Sequence, residues 1–338
     1  MALSATPAHL WQSGQEQVEF IFSSAFMSAP LVSVLIPVFN GEPFLAECFE
    51  SILAQDFGDY EVLVSDDGST DGSATVIERY AHRDSRIRWW RNPRNLGIGG
   101  NFNAPLKAAR GEYVKYVLQD DKLSDPSALR RMVEALERDP SVSLVVSAAH
   151  LIDAQSRLIR VRNPFGRSGV QEGKRVIVQC LEENANLIGE PSLALFRRSQ
   201  AARGFNEGLK QLLDLEMWFH LLEQGRFAYL AEPLCAFRQH PAQQTEVNRR
   251  TGASAEEDLI LKERYYVKPW MKTVATPQAI FTQVYYLRRR PGERAAAVSA
   301  EMNKALGRRR YALCWLRHKV TRPFRNLKAW LQKKQILR

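Results

Sequence analysis

The sequence has few cysteines and no long apolar run. Its four cysteines, in 338 residues, lie far apart, and none has a Cys or His partner at zinc-ligand spacing. This pattern argues against a structural zinc site and favours reduced thiols. No apolar stretch approaches the roughly 20 residues of a membrane-spanning helix, and the first residues lack the basic and apolar segments of a secretory signal. These features predict a cytoplasmic protein.

Acidic residues are nearly absent from the C-terminal part of the chain. The range 286–338 has 16 lysines and arginines and two glutamates, a net charge of +14, so within the total of +10 the remaining chain carries −4. The range also contains large apolar side chains, at Trp315, Leu316, Phe324, Trp330 and Leu331. This composition is typical of an interfacial helix on an anionic membrane. A solvated charge run, a partner-binding arm and a nucleic-acid-binding tail are the alternatives.

An apolar, β-branched run opens the patterned part of the chain. The sequence VSVLIPVF (32–39) predicts a strand buried on both faces, which Asn40 and Gly41 end. Pro43 suits the first turn of the helix that follows. The next run, YEVLVSDDGS (60–69), predicts a second strand that stops at two carboxylates, a glycine and a serine. This β-α-β unit places polar groups at the carboxyl ends of its strands, where open α/β sheets bind ligands.

Strands and helices continue to alternate along the chain. The apolar pattern predicts further strands at 87–92, 111–121, 142–152, 189–199 and 226–240, and helices at 70–83, 127–140 and 212–225. Asp125 and Pro126 suit the N-cap and first position of the helix in the 127–140 range. The range 92–111 begins with turn residues and continues as a further predicted helix, which closes at Gly111. The glycines within 153–186 favour mobile loops.

Several of these segments, in this order, resemble family 2 glycosyltransferases of the GT-A fold. The resemblance rests on the strand end P-x-F/Y-N, on the turn DDGSTD and on the acidic positions described below, and it extends from about Leu31 to Gln244. It implies an α/β fold with a mostly parallel central sheet flanked by helices. The domain would span 31–245, with a nucleotide-sugar half (31–122) and an acceptor half (123–245). Residues 1–30 would be a disordered extension, and 246–338 a helical, basic one.

The resemblance also implies an activity. The family members that the sequence resembles move a sugar, with inversion, from a nucleotide sugar to a hydroxyl of a glycan or lipid-linked acceptor, with Mg²⁺ or Mn²⁺. A UDP-sugar donor is the first expectation, and cell-surface polysaccharide or O-antigen synthesis the expected context. Such an enzyme would be cytoplasmic and peripheral on the inner face of the plasma membrane, with no nucleic-acid partner expected.

The resemblance assigns donor-binding roles to residues in the first half. Asp67 would accept the N3–H of uracil, which suits a carboxylate because it is an acceptor only. Phe39 would line the base pocket with Glu42 nearby, and Asn95 and Gly97 would pass near the nucleotide. Without the resemblance, the two acids before Gly68 would be explained by ordinary turn chemistry.

Two adjacent acids predict the metal site. Asp120 and Asp121 would repel each other unless a cation lies close, and Mg²⁺ binds to proteins through one or two carboxylates together with phosphate oxygens. The resemblance gives the metal to Asp121 and the donor ribose or sugar to Asp120, although the motif is Gln-Asp-Asp instead of Asp-x-Asp. His240 matches a family position near the diphosphate or metal.

Asp214 is the expected general base. It matches a family acid at the start of a helix that faces the donor, and it would deprotonate the acceptor hydroxyl. Leu213 stands where the family usually has glutamate, which leaves a non-catalytic nucleotide-sugar-binding relative as one alternative. A nucleotidyltransferase or dehydrogenase is another, but it would need a phosphate-binding glycine loop after the first strand, and VFNGEPF has none.

Overall fold

The computed structural model describes residues 29–241, 243, 253–266, 268–288, 293–317 and 319–320. The expectation of a disordered N-terminal extension falls almost entirely outside these residues. So do the aromatic and apolar side chains of Phe324, Trp330 and Leu331 in the basic tail. None of the described helices is long and apolar enough to cross a membrane.

Strands and helices alternate along the chain, as predicted. The strands are β1 (Val32–Val38), β2 (Tyr60–Asp66), β3 (Ile87–Arg91), β4 (Tyr113–Tyr116), β5 (Lys122–Leu123), β6 (Val142–Ile152), β7 (Leu158–Arg162), β8 (Gly169–Gln171), β9 (Ala194–Arg197) and β10 (Arg226–Arg238). The helices are α1 (Glu42–Leu53), α2 (Ser73–Arg83), α3 (Gly97–Ala108), α4 (Ala128–Glu137), α5 (Gly173–Glu183), α6 (Leu213–Leu222), α7 (Ala253–Tyr266), α8 (Met271–Val274), α9 (Pro277–Leu287) and α10 (Glu293–Leu306). Two short 3₁₀ helices flank β9.

One ten-stranded sheet forms the centre of the fold, in the order β3-β2-β1-β4-β9-β6-β10-β5 with β7 beside β6 and β8 beside β10. The first four strands are parallel, and so are β6 and β10. The other pairings are antiparallel. The central sheet is confirmed, but it is more mixed than expected, because β9 runs against both of its neighbours.

Apolar side chains on both faces of the sheet form the core. Every residue of β1 and β2 is buried, as the continuous apolar runs predicted. Helix α4 packs on this core through the buried residues Leu129, Met132, Val133 and Leu136. Around Pro233 the register between β10 and β6 shifts.

Three local expectations were wrong. The range 153–186 was expected to form loops, but it contains β7, β8 and α5. Ser127, and not Asp125, is the N-cap of α4, while the Asp125 carboxylate accepts the Ser127 N–H at 2.8 Å. Helix α3 ends at Ala108, with Ala109 as its C-cap, before Gly111. Gly111 instead packs so closely on β1 that a Cβ there would lie 2.5 Å from the Ser33 nitrogen.

The C-terminal helices pack on the sheet-bearing part of the chain. The buried Glu257 carboxylate of α7 accepts three consecutive backbone N–H groups ahead of α6, from Lys210, Gln211 and Leu212, at 2.7–2.9 Å. The indole of Trp270 donates to Glu223 at 2.8 Å. Helix α7 therefore fixes the loop that leads into the helix carrying Asp214.

Candidate active site

The ends of the parallel strands create the site. Val38 lies opposite Asp66 because β1 and β2 are parallel and in register. The N–H of Asp67 donates to the carbonyl of Val38, and the N–H of Asn92 to that of Asp66, both at 2.8 Å. Strand β4 runs parallel to β1 on its other side. The loops that follow these strands therefore open on one edge of the sheet, where ligands bind in folds of this kind.

Asp67 organises the loop before α3. It is 2% exposed. Its Oδ1 accepts the Leu96 N–H at 2.8 Å and the Asn92 side-chain amide at 2.9 Å, and its Oδ2 accepts the Gly97 N–H at 3.1 Å. The Asn95 amide donates to the Asp67 carbonyl at 3.0 Å. Three of the predicted donor-binding residues, Asp67, Asn95 and Gly97, are thus brought into contact.

Phe39 directly follows β1 at this edge of the sheet. Its side chain is 48% exposed, while its backbone exchanges two hydrogen bonds with the Gln119 amide, at 2.8 and 3.0 Å. Gln119 directly precedes Asp120. Phe39 therefore connects the loop after β1 to the loop 117–121, which carries Asp120 and Asp121 and is called the acidic loop. Glu42 is exposed, and its carboxylate accepts the Gly72 N–H at 2.8 Å. The structure therefore places Glu42 against the start of α2.

Asp120 and Asp121 differ in environment although they are adjacent. Asp121 is 1% exposed, and its Oδ1 accepts the Arg238 N–H at 2.9 Å. Its Oδ2 is buried without a hydrogen-bond partner among the described residues. Burial, and next the charge of Asp120, raise the pKa of Asp121 well above its usual range. Asp120 is more accessible and lies 3.0 Å from His240 Nε2.

Arg238 is a site residue that the sequence did not reveal. Its side chain is 1% exposed. Its Nε donates to the Asp120 carbonyl at 2.7 Å and its Nη1 to the Ser156 hydroxyl at 2.8 Å, and Nη2 pairs with Glu47. Burial alone would raise the pKa of Glu47, but hydrogen bonds from Lys122, Ser156 and Arg238 lower it to about 2. This buried cation holds the acidic loop against α1.

Asp214 lies in the first turn of α6. Its Oδ1 accepts the Leu215 N–H at 2.7 Å and its Oδ2 accepts the Asn186 amide at 3.3 Å. Burial, with a smaller contribution from the charge of Glu190, raises the pKa of Asp214 to about 7. Glu216, two residues further along the helix, pairs with Arg203 and Arg264. A carboxyl group with a pKa near neutrality suits proton transfer at physiological pH.

A short segment, 189–192, connects Asp214 to the loop that carries Asp120 and Asp121. At one end, Asn186 bonds both Asp214 and the Gly189 carbonyl. At the other end, the Ser192 hydroxyl accepts the Leu118 N–H at 2.9 Å. The predicted residues therefore lie along one connected network, from Asp67 through Phe39 to Asp120 and Asp121, and onward to Asp214.

The residues present fit a divalent cation that also uses ligands from a substrate. Among the described residues there is no group of three or more His, Cys, Asp or Glu side chains that could hold a metal alone. The unpartnered, buried Oδ2 of Asp121 is an available carboxylate ligand. Mg²⁺ typically uses one or two carboxylates and completes its shell with phosphate oxygens and water, so this donor set suits a cation carried with a diphosphate.

Comparison with known proteins identifies the family. The family described as "Glycosyl transferase family 2" matches residues 33–205. The uncharacterized protein MT1568 of Mycobacterium tuberculosis is 32% identical over 64% of this chain and 69% of its own length. The chondroitin synthase of Escherichia coli is 27% identical over 68% of this chain, which spans only 32% of that protein.

Solved structures show the same fold at low identity. Staphylococcus aureus TarS 1-349 in complex with UDP-GlcNAc has a TM-score of 0.55 and 20% identity, covering 84% of this chain and 90% of that one. The mannosyltransferase PcManGT of Pyrobaculum calidifontis, in complex with GDP-Man and Mn²⁺, has a TM-score of 0.55 and 20% identity, covering 85% and 84%. The family match, together with these structures, argues against a dehydrogenase and against a nucleotidyltransferase. The chain belongs to glycosyl transferase family 2 and is a glycosyltransferase with the GT-A fold.

Proposed function

We propose that this glycosyltransferase is metal-dependent and inverting, and that it moves a sugar from a nucleotide sugar to a hydroxyl of a glycan or lipid-linked acceptor. The observation that carries the proposal is the connection, through 189–192, of a carboxyl group with a pKa of about 7 to a buried acid with a free oxygen. The relatives support the substrate class, because TarS is described with UDP and UDP-GlcNAc, and PcManGT with GDP-Man and Mn²⁺. Synthesis of a cell-surface polysaccharide or O-antigen is the proposed context.

Each step of the reaction has a candidate residue. Asp214 takes the proton of the acceptor hydroxyl as it attacks the anomeric carbon from the face opposite the diphosphate. Asp121 would hold the cation, with Asp120 and His240 beside it. When bound, the cation offsets the charge that develops on the leaving diphosphate. Arg238 keeps the acidic loop in position through its contacts with the Asp120 carbonyl and Glu47.

The nucleotide is proposed to bind between the loops after β1 and β2. The exposed ring of Phe39 offers a face on which a base can stack. Asp67 Oδ2 accepts one hydrogen bond within the described chain, and it retains capacity to accept the N3–H of uracil. Asn95 and Gly97 hold this loop in place, and Glu42 would act through the β1–α1 junction. A UDP-sugar is therefore the proposed donor.

Thermal shift with a panel of nucleotide sugars tests the proposal. The panel consists of UDP-glucose, UDP-galactose, UDP-GlcNAc, UDP-glucuronate and GDP-mannose, each with and without Mn²⁺. We expect one nucleotide class to raise the melting temperature in a Mn²⁺-dependent manner, and Asp121→Asn to remove the Mn²⁺ dependence. The matched control is Asp59→Asn, at an exposed position. Absence of stabilisation by every nucleotide would contradict the proposal.

We also propose that the C-terminal helical region contacts an anionic membrane surface on the cytoplasmic side. Residues 308–317 are helical. The side chains of Leu313, Leu316 and Val320 are exposed, and the spacing of Leu313 and Leu316 places these two on one helical face. Arginines at 308–310 supply positive charge, and Lys319 Nζ lies 4.3 Å from the Trp315 ring centroid.

Vesicle flotation tests the membrane contact. We expect binding to vesicles that contain phosphatidylglycerol, little binding to pure phosphatidylcholine, and a decline as salt is raised, because surface electrostatics are screened. Equal binding to both vesicle types would argue against the electrostatic contact. Salt-dependent binding to duplex DNA without vesicle binding would favour the nucleic-acid alternative.

A further inference from the structure

Glu190 lies between the two parts of the candidate active site. It precedes Pro191 and the 3₁₀ turn in which the Leu193 N–H donates to the Glu190 carbonyl at 3.0 Å. On one side, Gly189 is tied through Asn186 to Asp214. On the other side, Ser192 is hydrogen-bonded to the loop that carries Asp120 and Asp121. The backbone position of Glu190 is therefore fixed from both directions.

The Glu190 carboxylate has an unmet capacity for hydrogen bonds. Its Oε2 is buried and has no hydrogen-bond partner among the described residues. A buried polar atom without a partner destabilises the folded protein, and more so when it is charged. Such an atom at the edge of an active site is accounted for if a ligand supplies the missing donor.

A purely structural role for this carboxylate is hard to reconcile with its surroundings. Its charge contributes to the raised pKa of Asp214, after the larger effect of burial. Repulsion between like charges in a partly buried site destabilises the folded protein. A glutamine would fill the same volume without that repulsion, so the acid is costly unless it binds something.

The reaction chemistry indicates what it binds. In an inverting displacement the anomeric carbon lies between the leaving oxygen, on the metal side, and the attacking hydroxyl, on the base side. The ring of the transferred sugar would then lie between Asp121 and Asp214, and Glu190 belongs to the segment that connects these two residues. A carboxylate is a strong acceptor for sugar hydroxyl groups.

We propose that Glu190 binds hydroxyl groups of the transferred sugar through its unpartnered Oε2. This role rests on the proposed function, and it makes Glu190 a specificity residue for the sugar portion of the donor. It is distinct from the residues proposed to bind the nucleotide or the metal.

Comparing a nucleoside diphosphate with its nucleotide sugar tests the proposal. Dissociation constants would be measured by calorimetry, with Mn²⁺, for UDP or GDP and for the panel sugar of the same base that stabilises the protein most. The variants are Glu190→Ala and Glu190→Gln, and the matched control is Glu137→Gln, at an exposed position on α4. Circular dichroism and melting temperature would verify that each variant is folded.

The expected result is a loss confined to the sugar. Glu190→Ala should bind the diphosphate as the wild type does and the nucleotide sugar roughly tenfold or more weakly, since a hydrogen bond to a charged group is lost. Glu190→Gln should show a smaller loss, because an amide oxygen still accepts, and a melting temperature that does not fall. Unchanged sugar binding in Glu190→Ala, or an equal loss for diphosphate and sugar, would refute the role of Glu190 alone. If the wild type bound no nucleotide at all, the proposed function would fail and this role with it.

Discussion

Replacing Asp214 with asparagine should make the enzyme slower and, at alkaline pH, more stable. The substitution keeps the size of the side chain, and its carbonyl oxygen can still accept the Leu215 N–H. It removes the group proposed to take the acceptor proton. General bases contribute typically about 10²–10⁴-fold to a rate, so we expect the rate of sugar transfer to fall by that order.

The stability effect follows from the raised pKa. Asp214 has a pKa of about 7 in the folded protein against an ordinary 3.8. Because the unfolded chain releases its proton first as pH rises, the free energy of unfolding falls between these two values and stays lowered above pH 7. Three pH units correspond to about 4 kcal/mol as an upper bound. Asparagine cannot ionise, so Asp214→Asn avoids this loss of stability. The altered contact with Asn186 reduces the gain by about 1 kcal/mol.

Melting temperatures at two pH values provide the assay. The advantage of Asp214→Asn over the wild type should be about 2 kcal/mol larger at pH 8.5 than at pH 5.5, since the intervening part of the titration runs from 5.5 to 7. Asp59→Asn, on an exposed loop, should show no such pH-dependent difference. If Asp214→Asn were equally destabilised at both pH values, the inferred pKa would be wrong. If it retained the full transfer rate, Asp214 would not be the base.

Two further predictions concern residues that support the site. Glu47→Gln should destabilise the protein most above about pH 4.5 and have a vanishing effect as pH falls towards 2, because the folded protein holds the Glu47 pKa low; urea unfolding at several pH values measures this, and a pH-independent difference would contradict it. Gly111→Ala should cost about 1–3 kcal/mol, since its Cβ would press on Ser33, whereas Gly58→Ala, where a Cβ meets nothing within 4 Å, should cost little in the same measurement; equal effects would refute the packing argument.

The parts of the fold that depend on local pattern were predicted well from the sequence. The strands β1 and β2 are continuous apolar runs, and α4 has regular helical spacing, so each carries its own signal. The strands β7 and β8 were missed because they are short and largely exposed. Helix α5 did leave a signal, since its buried residues at 176, 177, 180 and 181 have helical spacing.

The missed site residues depend on contacts distant in sequence. Arg238 resembles an ordinary surface arginine until β10 brings it to Glu47, 191 positions away. Glu190 lies in a stretch whose sequence predicts a strand, and only the folded chain shows that this stretch connects Asp214 with the loop that carries Asp120 and Asp121. Asp67 was assigned to the nucleotide by resemblance alone, and the structure adds that it also holds the loop before α3.

The central claim is that one cleft at the sheet edge binds a nucleotide sugar together with a divalent cation. A crystal structure of the protein with UDP and Mn²⁺, with anomalous data collected for manganese, tests it most directly. We expect one manganese peak within coordination distance of Asp121 and next to the diphosphate, with the uracil near Phe39 and Asp67. Manganese or nucleotide bound elsewhere, with Asp121 Oδ2 still unpartnered, would contradict this expectation.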